Sequence, residues 1–417
     1  MKKFRYWAFL FLLSFFVSFF LTSCTNPYPS VYPTPNNGGL YPQSYIPEGT
    51  DVSALIPINP SAIPGYQPTP PVVQPSSPVN PTPSPLPGGT LSEWTVMVYV
   101  DGDNDLSPYA FQDVNTMEFV GSTDQVKIVA QLDSLGITGT KRYLIMPDSN
   151  PFMITSPVIG DPGEVNMGNG SSLTGFIQFS VQKYPAKKYA LVLWNHGGGF
   201  RSAGETHILK DICWDESSGN DSLTMPELSQ ALSSSGVFLN VLAMDACLMG
   251  MVEVAYQVRN NASILVASEE SVPGEGMVYE RFLQDLVSSP TMEGSTLARY
   301  MIDSYMNIYS GSGMGVTLSS LRLSSLSPLI TALDQLAGAI LSDSGSRDLY
   351  REIGCRDTIW FSDTDFIDIG NFVQNLINHP SVSGTVKTTA QNVLSGLGSA
   401  VLYNRGSGLN DYNWNLS

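Results

Sequence analysis

The stretch Val241-Leu-Ala-Met-Asp-Ala-Cys-Leu-Met-Gly250 decides the fold of this chain. Its first half continues an apolar run that starts at Gly236, and such a run is typical of a strand buried in the middle of a sheet. The strand is predicted to end at Asp245, and the apolar spacing after Cys247 predicts that a helix follows at once. Cys247 would then lie at a helix N-terminus, which stabilises the thiolate form of cysteine.

A second buried strand is predicted upstream, over residues 189–195, and it ends at His196, which three glycines follow. Ligands of open α/β sheets bind at the carboxyl ends of the strands, so these two strands would place a base and a nucleophile at one rim. A buried cysteine is often an inert core residue, and a lone histidine is often structural. The glycines after His196 and the acidic Asp245 before Cys247 favour the catalytic interpretation, because neither is needed by an apolar strand.

Strands and helices alternate through the first part of the globular region, which predicts a largely parallel sheet between layers of helices. Strands are predicted at residues 94–100, 126–132, 189–195, 236–245 and 263–268, with a hairpin-like piece at 141–146. Helices are predicted at residues 107–120, 171–184 and 221–233. After Pro273, one strand is predicted at 315–323, with helices at 278–287, 295–309, 328–341, 367–376 and 385–397.

Residues 193–199 and 244–249 resemble the two active-site motifs of the clostripain family of cysteine peptidases, which are distant relatives of caspases, gingipains and legumains. Three further stretches agree with that family, namely residues 94–106, 267–276 and 365–372. The resemblance implies a caspase-like fold, a three-layer α/β/α sandwich with a largely parallel central sheet and additional C-terminal helices. The catalytic domain is expected to span residues 91–417, with a core over about 94–275 and a helical part over about 276–417.

The same resemblance implies peptide hydrolysis through a thioester acyl-enzyme. Cys247 would attack the scissile carbonyl, and His196 would supply acid–base catalysis. The backbone N–H groups of Gly197 and Cys247 would stabilise the oxyanion. Caspase-like sites work as a dyad, so no third catalytic side chain is expected.

Specificity is implied by the acidic residue two positions before the cysteine, which in this family helps to form a pocket for a basic side chain. Asp245 occupies that position, so cleavage after Arg or Lys is expected, through charge-assisted hydrogen bonds. Glu269 and Glu270, at the end of the next strand, could add to the pocket. The alternative for Asp245 is a carboxylate that interacts only with a helix dipole.

Other residues have weaker claims to a role in the site. Many relatives mature by self-cleavage between the histidine and cysteine strands, and Lys210 and Arg201 lie there as candidate cleavage sites. His207, in a polar loop, and His379, before a proline at a helix end, are expected to be surface residues. Relatives often continue into a last strand that only residues 407–409 and Tyr412 resemble here, so that strand is expected to be missing or divergent.

The N-terminal segment predicts export. Residues 1–23 have a basic start and an apolar centre over residues 9–21, as in a bacterial signal sequence. Leu-Thr-Ser-Cys24 resembles a lipobox, so cleavage before Cys24 and lipid attachment to it are expected, with an uncleaved anchor or an ordinary signal as alternatives. The protein would be anchored to the bacterial cell envelope, and to the outer membrane if the bacterium is Gram-negative. Residues 24–90 are rich in proline and predict an extended linker.

The charge and cysteine content of the chain limit its possible partners. The chain has 20 basic and 37 acidic residues and a formal net charge of −17, which gives nucleic-acid binding no electrostatic basis. Proteins or peptides containing Arg or Lys are the expected partners, together with the membrane through the lipid. Four cysteines make no disulfide framework, although Cys213 and Cys355 could pair in an oxidising compartment.

An acidic run at residues 101–105 alternates like the start of a calcium-binding loop. Leu106 stands where an EF-hand needs glycine, and Gln112 stands where it needs glutamate, so the EF-hand interpretation is excluded. The run is predicted instead to be a turn at the carboxyl end of the first strand, near the active rim. No metal ligand set is predicted and no cofactor is required, but calcium stays open because some members of the family depend on it.

Two other function classes compete with the peptidase. The first is a surface lipoprotein of the same fold that binds peptides or a partner and has lost catalysis. The second is a different Cys-His hydrolase, such as an amidase on a non-peptide substrate. The presence of both His196 and Cys247 argues against the first class, and Asp245 argues against the second.

Overall fold

The computed structural model describes residues 91–135, 139–200, 211–362 and 366–408. The predicted signal sequence, lipobox and linker lie outside these ranges. Within them the chain forms two compact units, a larger one from residues 91–333 and 391–408 and a smaller one from residues 334–390. No helix in the described ranges is both long and apolar enough to cross a bilayer.

The larger unit is built on a nine-stranded sheet with the order β11-β10-β9-β8-β5-β1-β2-β3-β4. Its five central strands, β9, β8, β5, β1 and β2, are parallel, and the pairs at both edges are antiparallel. A two-stranded ribbon, β6-β7, stands apart from it. The strands are β1 Ser92–Gly102, β2 Val126–Ser134, β3 Thr140–Leu144, β4 Val158–Gly163, β5 Ala186–Trp194, β6 Ile212–Asp215, β7 Asp221–Leu223, β8 Leu239–Asp245, β9 Ala262–Ala267, β10 Val316–Arg322 and β11 Val401–Ser407.

Ten α-helices accompany the strands in the described ranges, together with short 3-10 and π segments. The third of them begins with a capping box, in which Thr224 and Glu227 satisfy each other's backbone N–H groups. The helices are α1 Ser107–Glu118, α2 Gly170–Lys183, α3 Met225–Ser235, α4 Val252–Val258, α5 Tyr279–Ser288, α6 Gly294–Tyr309, α7 Leu326–Ser342, α8 Arg347–Glu352, α9 Ile369–Asn378 and α10 Gly384–Ala400.

Helices cover both faces of the sheet, because successive side chains of a strand point to opposite sides. On β1, Val96 and Val98 face a core that includes buried residues of α1, α5 and α6. Tyr99, on the other face, packs against Phe176 of α2 with ring centroids 5.7 Å apart. Helix α2 packs against α3, and α3 packs against α4. The predicted three-layer sandwich with a largely parallel sheet is therefore confirmed.

The smaller unit contains α8, α9 and a π segment at Ile353–Asp357. Asp368 caps α9 by accepting a hydrogen bond from the backbone N–H of Asn371. The Tyr350 hydroxyl donates to Asp343 across 2.7 Å and its ring is buried. These contacts stabilise the ends of short helices that are marginal by themselves.

The predicted strands and helices between residues 94 and 397 are all present, with ends displaced by a few residues. Strand β4 and the β6-β7 ribbon were not predicted. Strand β11 was not predicted, and it pairs with β10 in antiparallel register. Leu409 and Tyr412, where a missing or divergent last strand was expected, lie outside the described residues. The suggested pairing of Cys213 with Cys355 is wrong, because Cys213 is a free thiol buried within the larger unit.

Candidate active site

His196 and Cys247 follow neighbouring parallel strands at the same level. Strands β5 and β8 are paired so that Trp194 lies beside Asp245, and each catalytic candidate comes two residues later. The backbone N–H of Asn195 donates to the Asp245 carbonyl across 3.3 Å, which extends the pairing towards the rim. The sheet therefore brings the two predicted residues to one edge, as parallel strands do.

The histidine and cysteine loops touch at Gly197. A Cβ atom on Gly197 would lie 2.4 Å from the carbonyl oxygen of Cys247 and 3.0 Å from the Cβ of Ala246. Only glycine permits this approach, since no real Cβ contact is that short. The N–H of Gly198 is already used, because it donates to the Asp211 carbonyl across 3.0 Å.

The predicted helix start at Cys247 is wrong. Helix α4 begins at Val252, and Leu248 has a positive φ of 61° that no α-helix accommodates. The N–H of Leu248 donates to the Glu270 carbonyl, and that of Gly250 donates to the Ser268 carbonyl at 2.7 Å. The segment after Cys247 is therefore a turn bound to the end of β9, and the N-terminus of α4 lies five residues after Cys247.

The Cys247 thiol has a different partner. The backbone N–H of Val272 donates to its sulfur across 3.2 Å. Burial raises the pKa of Cys247, this N–H opposes the rise, and the nearby carboxylates of Asp245 and Glu270 add to it. Cys247 is therefore a protonated thiol at neutral pH, and the thiolate is the nucleophilic form of cysteine.

His196 contacts an acidic residue that was not predicted as its partner. Its Nε2 lies 2.8 Å from Oδ1 of Asp105, and its ring centroid lies 5.7 Å from that of Trp214. The acidic run containing Asp105 was predicted to be a turn near the rim, and this placement is confirmed, since β1 ends at Gly102. Its contact with histidine depends on β1 and β5 being neighbours in the sheet.

Asp245 is buried directly before the cysteine loop, with only 4% of its surface exposed. Its Oδ2 accepts hydrogen bonds from the N–H of Met277 and the hydroxyl of Tyr279, both at 2.9 Å. Its Oδ1 is buried and has no hydrogen-bond partner among the described residues. Burial raises the pKa of Asp245 to about 6, although the two hydrogen bonds favour the ionised form.

Comparisons with known proteins agree with these motifs. The model of the clostripain family, peptidase C11, matches residues 98–414. The chain belongs to the clostripain family. Clostripain of Hathewaya histolytica is 34% identical over 218 residues, which cover 45% of this chain and 41% of that protein. The chain thus matches less than half the length of that curated relative.

Solved structures share the fold of this clostripain-family chain. One is a secreted C11 cysteine protease from Bacteroides thetaiotaomicron in complex with an irreversible peptide inhibitor. Its sequence is 23% identical, its TM-score is 0.59, and the match covers 76% of this chain and 85% of that chain. Another is an inactive zymogen C11 protease from Parabacteroides distasonis, with 20% identity, a TM-score of 0.59 and the same coverages. These similarities support the predicted fold class.

The other acidic candidates of this family member, Glu269 and Glu270, follow β9 as predicted. Glu270 is buried, and its Oε1 accepts a hydrogen bond from the N–H of Ser271 across 2.7 Å. The backbone N–H of Glu269 donates to Oγ1 of Thr317 across 3.0 Å. Their backbone therefore fixes the loop to which the cysteine turn is bound.

The remaining candidates are placed only in part. Arg201, Lys210 and His207 lie outside the described residues. His379 ends α9, as predicted, and its Nδ1 accepts a hydrogen bond from the N–H of Ser381 at 3.2 Å. That contact is local to the helix end, so it gives His379 a structural role there.

Acidic side chains also gather at the carboxyl ends of β1, β2 and β4. Carboxylate oxygens of Asp103, Asp133 and Glu164 all lie within 4.8 Å of one another. Oδ2 of Asp103 and both carboxylate oxygens of Asp101 are buried without a hydrogen-bond partner in the described ranges. Burial, with the neighbouring acids adding to it and the hydrogen bond from Thr140 opposing it, raises the pKa of Asp133 to about 7. This arrangement could hold a divalent cation.

Proposed function

We propose that the protein is a cysteine endopeptidase that cleaves after Arg or Lys. The observation that carries the proposal is the buried Asp245, whose Oδ1 lacks a partner two residues before Cys247. A buried carboxylate oxygen without a hydrogen bond is unfavourable unless a ligand supplies the donor. A guanidinium or ammonium group meets this need with a charge-assisted hydrogen bond.

In the proposed reaction, His196 accepts the proton of the Cys247 thiol, and the sulfur attacks the scissile carbonyl carbon. The backbone N–H groups of Gly197 and Cys247 stabilise the resulting oxyanion. The C–N bond then breaks, the amine takes the proton from His196, and a thioester remains on Cys247. Water, deprotonated by His196, attacks the thioester and releases the acid and the thiol.

The contact between Gly197 and the Cys247 carbonyl supports this assignment of the oxyanion donors. It brings the loops that carry His196 and Cys247 into contact. The attacking sulfur and the N–H groups that stabilise the oxyanion would therefore lie at the same edge of the sheet. The N–H of Gly198 is bonded to Asp211, whereas Gly197 is the glycine that lies against the cysteine loop. Fixed donors stabilise developing charge better than mobile ones, because they need no reorganisation.

The test is a panel of fluorogenic peptides that differ only in the residue before the scissile bond, with Arg, Lys, Asp or Leu. The full-length protein is expected to turn over the Arg and Lys peptides and neither of the others. Turnover of Asp or Leu peptides alone would keep the peptidase but contradict the role of Asp245. Turnover of none, by a protein shown to be folded, would favour the partner-binding lipoprotein, and turnover of non-peptide amides alone would favour an amidase.

We also propose that the protein is exported and attached to the cell envelope by a lipid on Cys24, with residues 24–90 as the spacer. The composition of the N-terminal segment supports this. A labelled fatty acid should be incorporated into the parent and not into Cys24→Ser.

Self-cleavage after Lys210 or Arg201 is proposed because the same specificity for basic residues would accept either of them. It should be visible as two fragments in the parent and one band in Cys247→Ala.

We propose a calcium site at Asp103, Asp133 and Glu164. Hard oxygen ligands suit this ion, and the buried Oδ2 of Asp103, which has no hydrogen-bond partner in the described ranges, fits binding of a cation. Bound calcium would offset the mutual repulsion of these carboxylates, and none of the catalytic steps proposed above passes through it.

Calcium is therefore expected to raise the midpoint of thermal unfolding by several degrees at saturating concentration, because it binds only the native state. Asp103→Asn should remove this increase, whereas Asp161→Asn, which alters an exposed carboxylate paired with Lys141, should retain it. An unchanged midpoint in the parent at millimolar calcium would contradict the site.

A further inference from the structure

We infer that Asp105 is a positioning residue that holds the His196 imidazole for catalysis, an inference that rests on the proposed function. Its Oδ1 lies 2.8 Å from Nε2 of His196. A carboxylate accepts hydrogen bonds and cannot donate one when ionised, so this contact requires a proton on Nε2. Nδ1 is then the unprotonated nitrogen of the neutral ring, the one that can accept the thiol proton.

The contact between Asp105 and His196 is one of two side-chain contacts between a pair of dipeptides that each begin with asparagine. Asn104-Asp105 follows β1, and Asn195-His196 follows β5, its neighbour in the sheet. The side-chain amide of Asn104 donates to Oδ1 of Asn195 across 3.3 Å, and both residues are buried. The buried asparagine pair therefore sets the alignment of the two loops, and the acid–histidine pair follows from it at the rim.

The loop that carries Asp105 is fixed from several directions. The Asn104 amide also donates to the Trp214 carbonyl across 2.7 Å, and its Oδ1 accepts from the N–H of Leu106 at 2.9 Å. The Asn195 amide donates to the same Trp214 carbonyl and to the carbonyl of Asp101. Both loops are thus bound to a common point on β6, and Asp105 is held in place by its neighbours.

The solvent exposure of the Asp105 and His196 side chains indicates that their contact contributes little to the stability of the fold. The side chain of Asp105 is 64% exposed, and that of His196 is 35% exposed. Exposed ion pairs add little to stability because water screens them. The contact is therefore expected to affect the orientation and tautomer of the imidazole far more than the folding of the protein.

The experiment is a double-mutant cycle on the best Arg or Lys peptide, using Asp105→Ala, His196→Ala and the double variant. Asp105→Ala is expected to lower kcat on the order of tenfold to a hundredfold and to leave KM little changed. This loss is smaller than the whole acceleration that acid–base catalysis supplies, because His196 itself is still present. In the His196→Ala background the same substitution should cause no further loss, because the residue acts through the histidine. Asp105→Asn, whose amide oxygen can still accept from Nε2, should recover part of kcat.

Asp161→Ala is the matched control. It removes a 58% exposed carboxylate from a 2.8 Å ion pair with Lys141, in a contact that involves neither His196 nor Cys247, and it should leave kcat unchanged. An unchanged kcat in Asp105→Ala, or an equal loss in the His196→Ala background, would overturn the inference.

If the proposed function is wrong, the parent will show no turnover that depends on Cys247, an outcome that differs from each of those above. In that case the ¹⁵N shifts of the His196 ring decide the matter without activity. Protonation at Nε2 should dominate in the parent and decline in Asp105→Ala. The same tautomer population in both proteins would overturn the inference.

Discussion

Replacing Cys247 with alanine is expected to reduce turnover of Arg and Lys peptides to background, a loss of at least about 10⁴-fold, because the covalent route disappears with its nucleophile. The fold should survive, because the alanine retains the backbone that Gly197 contacts and loses only the sulfur that the N–H of Val272 faces. Steady-state rates and thermal unfolding of the parent and the variant check both parts.

The second free thiol provides a control for this prediction. Cys213 is fully buried, and burial raises its pKa well above the ordinary value, so it is inert as a nucleophile. Cys213→Ala should remain active, and a peptide-based electrophile should label the parent and Cys213→Ala but not Cys247→Ala. Labelling of Cys247→Ala, or residual turnover by it above background, would contradict the assignment of the nucleophile.

Replacing Asp245 with asparagine is expected to lower kcat/KM for Arg and Lys peptides by about 10²- to 10³-fold. Breaking a buried charge pair typically costs about 3–5 kcal/mol, and asparagine removes the charge while keeping the shape. The hydrogen bonds from Met277 and Tyr279 can still reach its amide oxygen. Glu269→Gln, an isosteric change at the end of the next strand, should have a much smaller effect, and equal losses in both variants would contradict the special role of Asp245.

The same substitution should stabilise the protein in a pH-dependent way. Burial raises the pKa of Asp245 from an ordinary 3.8 to about 6, so the unfolded chain releases this proton at lower pH than the native protein. The resulting destabilisation is absent below about pH 4, grows as pH rises, and reaches about 3 kcal/mol above pH 6. Asp245→Asn should therefore be more stable than the parent in urea at pH 8 and should lose that advantage at pH 4.

Loss of activity together with a gain in stability would mark Asp245 as a residue retained for binding. If urea unfolding shows the same difference between parent and variant at both pH values, the pKa of Asp245 is the same in the native and unfolded protein, and burial does not destabilise its ionised form.

The parts of the site that were predicted correctly are those that follow from strand burial. Strands β5 and β8 read as long apolar runs because both faces of a central parallel strand are covered. The polar residues that end them, His196 and Cys247, therefore had to lie at the rim. The acidic run after β1 was placed by the same argument, since β1 is buried along nearly its whole length.

The parts that were missed depend on where the backbone hydrogen bonds go. Apolar spacing after Cys247 fits a helix, but it does not reveal that the N–H groups of Leu248 and Gly250 bind carbonyls beyond β9. Likewise, the acidic run does not name His196 as the partner of Asp105, because that contact requires the order of strands in the sheet. The β6-β7 ribbon has strands of only 4 and 3 residues, too short for a periodic signal.

The order of the sheet has a consequence for biosynthesis. Among the described strands, β1 comes first in the chain and lies in the middle of the sheet, whereas β11 comes last and pairs with β10 at one edge. Until Val401–Ser407 leaves the ribosome, β10 presents unpaired backbone groups, the kind of edge on which chains aggregate. The nascent protein is therefore most vulnerable between the synthesis of β10 and that of β11, and premature termination ahead of Val401 leaves a product suited to pairing with other copies.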